Sequence, residues 1–265
     1  MTVPRGSESA PGGRSWLAAA LLPAVGVVTL AAMWWLSTIV FDINPFVLPA
    51  PPDIVRRFAE APDFFFHHGR ATLTETVVGF GIAVAIGLLT AVLLTASRTV
   101  ERAVLPLLVA ANAVPKIAVA PLLVVWLGFG SVPKIAMVVL IAFFPIVVSA
   151  MAGLTSTPVE LAELAKSLSA SRLQSFVKLR IPWALPQIFV GLKLGVTLSV
   201  VGAVVGEFAG GDQGLGYVIV ASGASADTPL AFAAMTLLSA MSVLLFYLLA
   251  ALERLLLPWA REITG

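Results

Sequence analysis

VPKIAMVVLIAFFPIVVSAMAG, residues 132–153, places a single charge, Lys134, in an otherwise apolar run. A helix rises 1.5 Å per residue, so about 20 such residues cross the hydrocarbon core of a bilayer. Five further stretches meet the same test: 16–41, 72–96, 103–127, 185–208 and 230–252. None alternates in polarity as the strands of a membrane barrel do. The expected fold is therefore all-α and integral to the membrane, a bundle of six transmembrane helices. It divides into a polar N-terminal tail over 1–15, one membrane domain over 16–258 and a short tail over 259–265.

Composition supports this. The chain is 59% hydrophobic and 11% charged, with a mean hydropathy of +1.02, whereas soluble domains carry about 25% charged residues. Lipid must be the solvent for much of its surface. The net charge of +2 is not massed in any one block, which argues against nucleic acid as a partner. With no cysteine, disulfides, thiolate metal sites and cysteine nucleophiles are excluded. The first apolar run is 26 residues long and carries Trp34 and Trp35 near its far end. A secretory signal has an apolar core of only about 7–15 residues, so this run is expected to be a retained span.

Lys and Arg in the connecting segments set the orientation. With the N-terminus inside, ten fall on the cytoplasmic side (Arg5, Arg14, Arg98, Arg102, Lys166, Arg172, Lys178, Arg180, Arg254, Arg261) and four outside (Arg56, Arg57, Arg70, Lys134). Both termini are expected in the cytoplasm. Within the outer segment 42–70, Ile54, Val55 and Phe58 recur at helical spacing opposite Arg56 and Arg57, the pattern of a helix lying in the interface.

The loop after the fourth span is the least ordinary part of the chain: TSTPVELAELAKSLSASRLQSFVKLRIPWALP, residues 155–186. Thr157, Pro158 and Glu160 stand where N-cap, N1 and N3 of a helix belong. Leu161, Leu164, Ala165 and Leu168 follow as one apolar stripe. The pattern breaks at Ser169-Ala170-Ser171. Ser171 and Gln174 then offer a second capping box, Leu173, Phe176 and Val177 a second stripe, and Pro182 a stop. Two helices this short are unstable alone in water, so their apolar faces need a partner, in the bundle or in another protein.

Glu163-Leu164-Ala165, Ser169, Leu179-Arg180-Ile181-Pro182 and Leu185-Pro186 resemble the EAA motif of binding-protein-dependent ABC importer permeases. Ser169 stands where that family usually has glycine. Val114-Pro115-Lys116-Ile117-Ala118-Val119-Ala120-Pro121-Leu122 with Trp126-Leu127-Gly128-Phe129-Gly130 is similar to the nitrate/sulfonate/taurine-type subfamily. So are Phe46-Val47-Leu48-Pro49 and Gly206-Glu207-Phe208 through Gly214-Leu215-Gly216-Tyr217. The resemblance implies a type I importer permease whose loop over 155–182 is a coupling helix, with Glu160, Glu163, Leu164, Ala165, Leu168, Ser169 and Pro182 engaging the motor. It further implies a homodimer, two cytoplasmic ABC ATPase subunits that bind ATP and Mg, and an extracytoplasmic substrate-binding protein. This chain itself needs no cofactor. Its solute would be nitrate, a sulfonate, taurine, or a related pyrimidine, vitamin precursor or aromatic acid.

No phosphate-binding loop of the G-x-x-x-x-G-K-[ST] kind is present, so ATP hydrolysis belongs to another polypeptide. Asn112, Lys116, Ser199 and Glu207 are the polar residues within spans chosen as candidates for a translocation pathway. Asn112 and Lys116 share a helix face at four-residue spacing, on a span that Pro115 and Pro121 interrupt. Gly191, Gly195, Ser199, Gly202, Gly206 and Gly210 form a small-residue seam that either packs helices together or lines the pathway. His67 and His68 are adjacent and do not share a helix face, a poor arrangement for a metal. An ion-gradient-driven secondary transporter is the rival reading, but no repeat of the Pro115–Pro121 interruption accompanies it.

Overall fold

The computed structural model describes residues 15–259, and every regular element among them is helical. The expected tails over 1–15 and 259–265 lie outside the described residues, apart from Ser15 and Trp259. The order is α1 (Ser15–Val40), α2 (Pro51–Glu60), α3 (Pro62–Thr95), α4 (Arg98–Ala113), α5 (Lys116–Leu127), α6 (Ser131–Thr155), α7 (Val159–Ser167), α8 (Arg172–Ser175), a π-helical turn (Phe176–Arg180), α9 (Ile181–Gly210), α10 (Leu215–Ser225) and α11 (Thr228–Leu256).

Four helical stretches are long and apolar enough to cross a membrane: Pro62–Thr95, Ser131–Thr155, Arg172–Gly210 and Thr228–Leu256. The span expected over 103–127 is not one helix. It is the pair α4 and α5, bent by 88°. Val114 is extended and Pro115 follows it, because a residue before proline is driven out of the helical region. Pro121, the other expected interruption, sits inside α5 without breaking it. If the bent pair counts as one span, the described spans number five. The run expected over 16–41 is helical as α1, with an apolar described part, Val25–Val40, shorter than a full crossing.

The centre of the bundle is α6, held between α9 and α3. Glycines set that approach. A Cβ on Gly202 would stand 2.8 Å from the Val138 Cα, one on Gly206 2.7 Å from the Lys134 Cα, and one on Gly191 2.5 Å from the Ser149 Cβ. The seam on α9 thus packs against α6 within the chain, and Ser199 lies fully buried in it, donating to the Gly195 carbonyl at 2.8 Å. At the end of the bundle expected to face outward, α2 turns Ile54 into a cluster with Phe65, Ala234 and Leu238 while Val55 stays exposed. Arg57 joins α2 to the start of α11 by a 2.7 Å ion pair with Asp227, whose other oxygen caps Leu230 N–H at 3.1 Å.

Candidate functional site

Two polar or semi-polar constructions flank the apolar bundle. The inner one, on the side expected to face the cytoplasm, is the loop 155–186. Its first helix begins one residue later than the capping pattern predicts: Pro158 is the N-cap with no side-chain bond, so Glu160 falls at the second position and the Thr157/Glu160 box does not form. The Thr157 hydroxyl is instead buried without a partner. The second box does form. Gln174 N–H donates to Ser171 Oγ at 3.2 Å, and Ser171 N–H donates to Gln174 Oε1 at 2.9 Å.

Between the helices, Ser169 takes the left-handed conformation with φ 54°. Ser169 N–H donates to the Lys166 carbonyl at 2.9 Å and Ala170 N–H to the Ala165 carbonyl at 3.0 Å. These two bonds make a Schellman turn, normally completed by glycine because a Cβ is strained there. No residue of α7 or α8 is buried. Leu161 and Ala165 are half-buried, whereas Leu164 is 55% and Leu168 74% exposed, and Glu160 and Glu163 lie on the surface.

Pro182 does not end the second helix. Ile181 N–H reaches back five residues to the Phe176 carbonyl, and this wider turn takes up the proline at the start of α9. Helix therefore runs unbroken through 39 residues, Arg172–Gly210, from the loop to the far side of the bundle. The inner helices are the exposed handle of a spanning rod.

The outer construction is buried and charged. Lys134 on α6, Glu75 on α3 and Glu207 on α9 are all at least 98% buried. Lys134 Nζ stands 3.0 Å from Glu75 Oε1 and 3.8 Å from Asp212 Oδ1, and it donates to the Gln213 carbonyl at 3.1 Å. Glu207 accepts from Thr72 Oγ1 at 2.7 Å and from Gly216 N–H at 2.5 Å, in the first turn of α10. Leu215 N–H donates to Thr72 Oγ1 at 2.8 Å and Gly214 N–H to His68 Nδ1 at 3.1 Å. Orphan donors at the start of α10 are satisfied by side chains of α3 and α9.

Of the four residues selected for a pathway, the structure brings together only Asn112 and Lys116. They do not share a helix face. Lys116 Nζ donates to Asn112 Oδ1 at 2.5 Å across the corner between α4 and α5. Ser199 is in the packing seam and Glu207 in the outer network. Lys193 pairs with Glu253 at 2.7 Å, joining α9 to α11. Glu75, Thr72, His68 and Lys134 were not legible as a group, although a lone acid inside the apolar run 72–96 was a signal that it needed a buried cation. Among the described residues no three metal-ligating side chains converge.

The sequence profile described as "Binding-protein-dependent transport system inner membrane component" matches residues 83–262. The chain belongs to that family. It is 38% identical to the formylaminopyrimidine transport permease protein ThiX of Halalkalibacterium halodurans, over 92% of this chain and 97% of that one. It is 30% identical to the taurine transport system permease protein TauC of Escherichia coli, over 89% of each. The fold is shared with the MetNI methionine ABC transporter in an inward-facing conformation, with TM-score 0.62 and 22% identity, over 69% of this chain and 92% of that one. The protein is thus a membrane-embedded, multi-pass permease subunit of an ABC importer for a small solute.

Proposed function

We propose that the permease works as a homodimer gripped from the cytoplasm by two ATPase subunits and fed from outside by a substrate-binding protein, with both termini inside. One observation carries this reading: apolar side chains of α7 stand in water on a handle continuous with a span. Leu164 and Leu168 form the seat for a groove on the ATPase, and Glu160 and Glu163 offer charge to its rim. Ala165 keeps the seat shallow, and Ser169 sets the angle of the turn. Pro182 with its π-helical turn fixes how the handle joins α9.

ATP and Mg sit on the partner. When the ATPase pair closes, the handle moves with it, and the rod Arg172–Gly210 carries the displacement outward. The glycine seam leaves no slack between α9 and α6, so α6 and α3 move as well. Asn112 and Lys116, clamping a corner where helix carbonyls are free, are the polar groups best placed to meet the solute. The solute is a small heteroaromatic, in keeping with the higher identity to the formylaminopyrimidine and riboflavin permeases, 38% and 37%, than to the taurine permease, 30%.

Leu164→Asp and Glu163→Lys test the reading. In either variant, membrane insertion should be unchanged, while solute uptake falls at least tenfold and less ATPase subunit co-purifies. Full uptake with normal co-purification would overturn it, as would uptake that survives ATP depletion while the ion gradient is intact.

A further inference from the structure

A cavity of about 650 Å³ lies between the cytoplasmic end of α3 and the loop helices. Its size is within the ordinary range of ligand pockets, about 300–1,000 Å³. Lys166, Arg172 and Arg180 line it, and no acidic residue does. None of these three cations makes an ion pair among the described residues. Thr157 also lines it, but its hydroxyl is sealed from solvent and does not open into the cavity. The rest of the lining is largely apolar, with Val92 one turn before the end of α3 and Phe176 and Leu179 in the π-helical turn.

Like charges gathered round a cavity repel. One occupant relieves this: an anion with several acceptor oxygens. The apolar lining asks for more than an anion, because a free inorganic anion gains nothing from Val92 or Leu179. Leu89 and Leu93, beside Val92 on α3, are exposed, so an apolar helix face leads away from the cavity. Anionic headgroups are concentrated at the cytoplasmic surface, where each nearby Lys or Arg strengthens their binding.

We propose that this cavity binds the phosphodiester headgroup of an anionic phospholipid from the inner leaflet. Its oxygens meet Lys166, Arg172 and Arg180, and its acyl chains run out along α3. The headgroup ties the end of α3 to the loop helices, so coupling depends on lipid charge. The proposal rests on the orientation and the lever given under Proposed function.

The test uses the complete importer, permease with ATPase, in nanodiscs of phosphatidylcholine alone or mixed with phosphatidylglycerol. Native mass spectrometry reads the retained lipid, and solute-stimulated ATP hydrolysis reads coupling. Wild type should retain phosphatidylglycerol selectively and hydrolyse faster with it. Arg172→Gln and Arg180→Gln should each weaken retention roughly fivefold, the worth of one cation near an anionic surface. Thr157→Val, which changes no charge and removes a hydroxyl sealed from the cavity, should leave it unchanged.

Equal retention of the two lipids by wild type overturns the proposal, and so does undiminished retention in both arginine variants. Full stimulation by soluble glycerol phosphate in phosphatidylcholine discs would assign the cavity to a free phosphate instead. Loss of the ATPase subunit from Arg172→Gln and Arg180→Gln in both lipid mixtures would assign it to an acidic side chain of that subunit. Lipid retention is read without turnover, so it can succeed even if Leu164→Asp shows the lever reading to be wrong.

Discussion

The two ends of this bundle invert the usual placement of side chains. At the outer end, Lys134, Glu75 and Glu207 are buried and their partners lie within the chain. At the inner end, Leu164, Leu168 and Leu173 stand in solvent and α7 buries nothing. A buried charge is tolerated only when it has a partner; Lys134 pairs with Glu75, which makes no hydrogen bond besides, and Glu207 is hydrogen-bonded by Thr72 and Gly216, so the outer end is closed on itself. Exposed leucines on a helix too short to stand alone mark the inner end as unfinished. One end holds the helices in register; the other waits to be moved.

The contrast is broken most severely at Lys134. Lys134→Met leaves Glu75 without its cation and removes the grip on the Gln213 carbonyl and Asp212. Removing one partner of a buried pair costs about 3–5 kcal/mol. The permease should melt far earlier in detergent, read by fluorescence-detected gel filtration, and the double variant Lys134→Met/Glu75→Leu should regain much of the loss. Leu164→Asp, at the unfinished end, should leave the same melting curve within about 0.5 kcal/mol of wild type. If both single variants melt alike, the distinction between the two ends fails.

A smaller effect is expected in the seam that connects them. Gly202→Ala puts a Cβ 2.8 Å from the Val138 Cα and 3.2 Å from the Met137 carbonyl, so backbone must shift. Overpacking of this kind costs about 1–3 kcal/mol. Because the seam transmits motion, uptake should fall further than stability alone explains. Gly81→Ala is the control, since a Cβ there meets nothing within 4 Å. Melting temperature and uptake measured side by side separate the two glycines.

The apolar runs over 132–153, 185–208 and 230–252 were readable because lipid demands an apolar surface at every position, which hydropathy detects directly. The bend at Pro115 was half legible: the proline was visible, but the 88° angle depends on how α5 packs against α6 and α9. Pro182 misled because a stop signal in solution becomes a π-helical turn when the helix beyond it is held by the bundle. Thr157 misled because Pro158 moved the start of α7 by one residue. The Lys134–Glu75 pair joins two spans distant in sequence. Lys134 in isolation read as an outer loop cation, and only the fold shows that α6 carries it into the bundle. Glu207 was selected as a pathway candidate, and its bonds to Thr72 and Gly216 give it a capping role that spacing does not reveal.

The mildest probe lies at Ser169, where the resemblance to the importer permeases led to an expectation of glycine. At φ 54° the residue sits in the left-handed region, which costs an L residue about 1–2 kcal/mol relative to glycine. Ser169→Gly removes that strain but adds freedom to the unfolded loop, an offset of about 0.5–1 kcal/mol. The net gain should be under about 1 kcal/mol and confined to the turn, because no buried side chain of α7 or α8 carries it further. Hydrogen exchange at the amides of Ser169 and Ala170, the two donors of the turn, should slow severalfold with uptake unchanged. Ser169→Val reverses the sign: a β-branched side chain at positive φ is a true outlier, so the turn should open and uptake should fall. Uptake that ignores both changes would mean the angle between α7 and α8 is set by the ATPase that holds them and not by this chain.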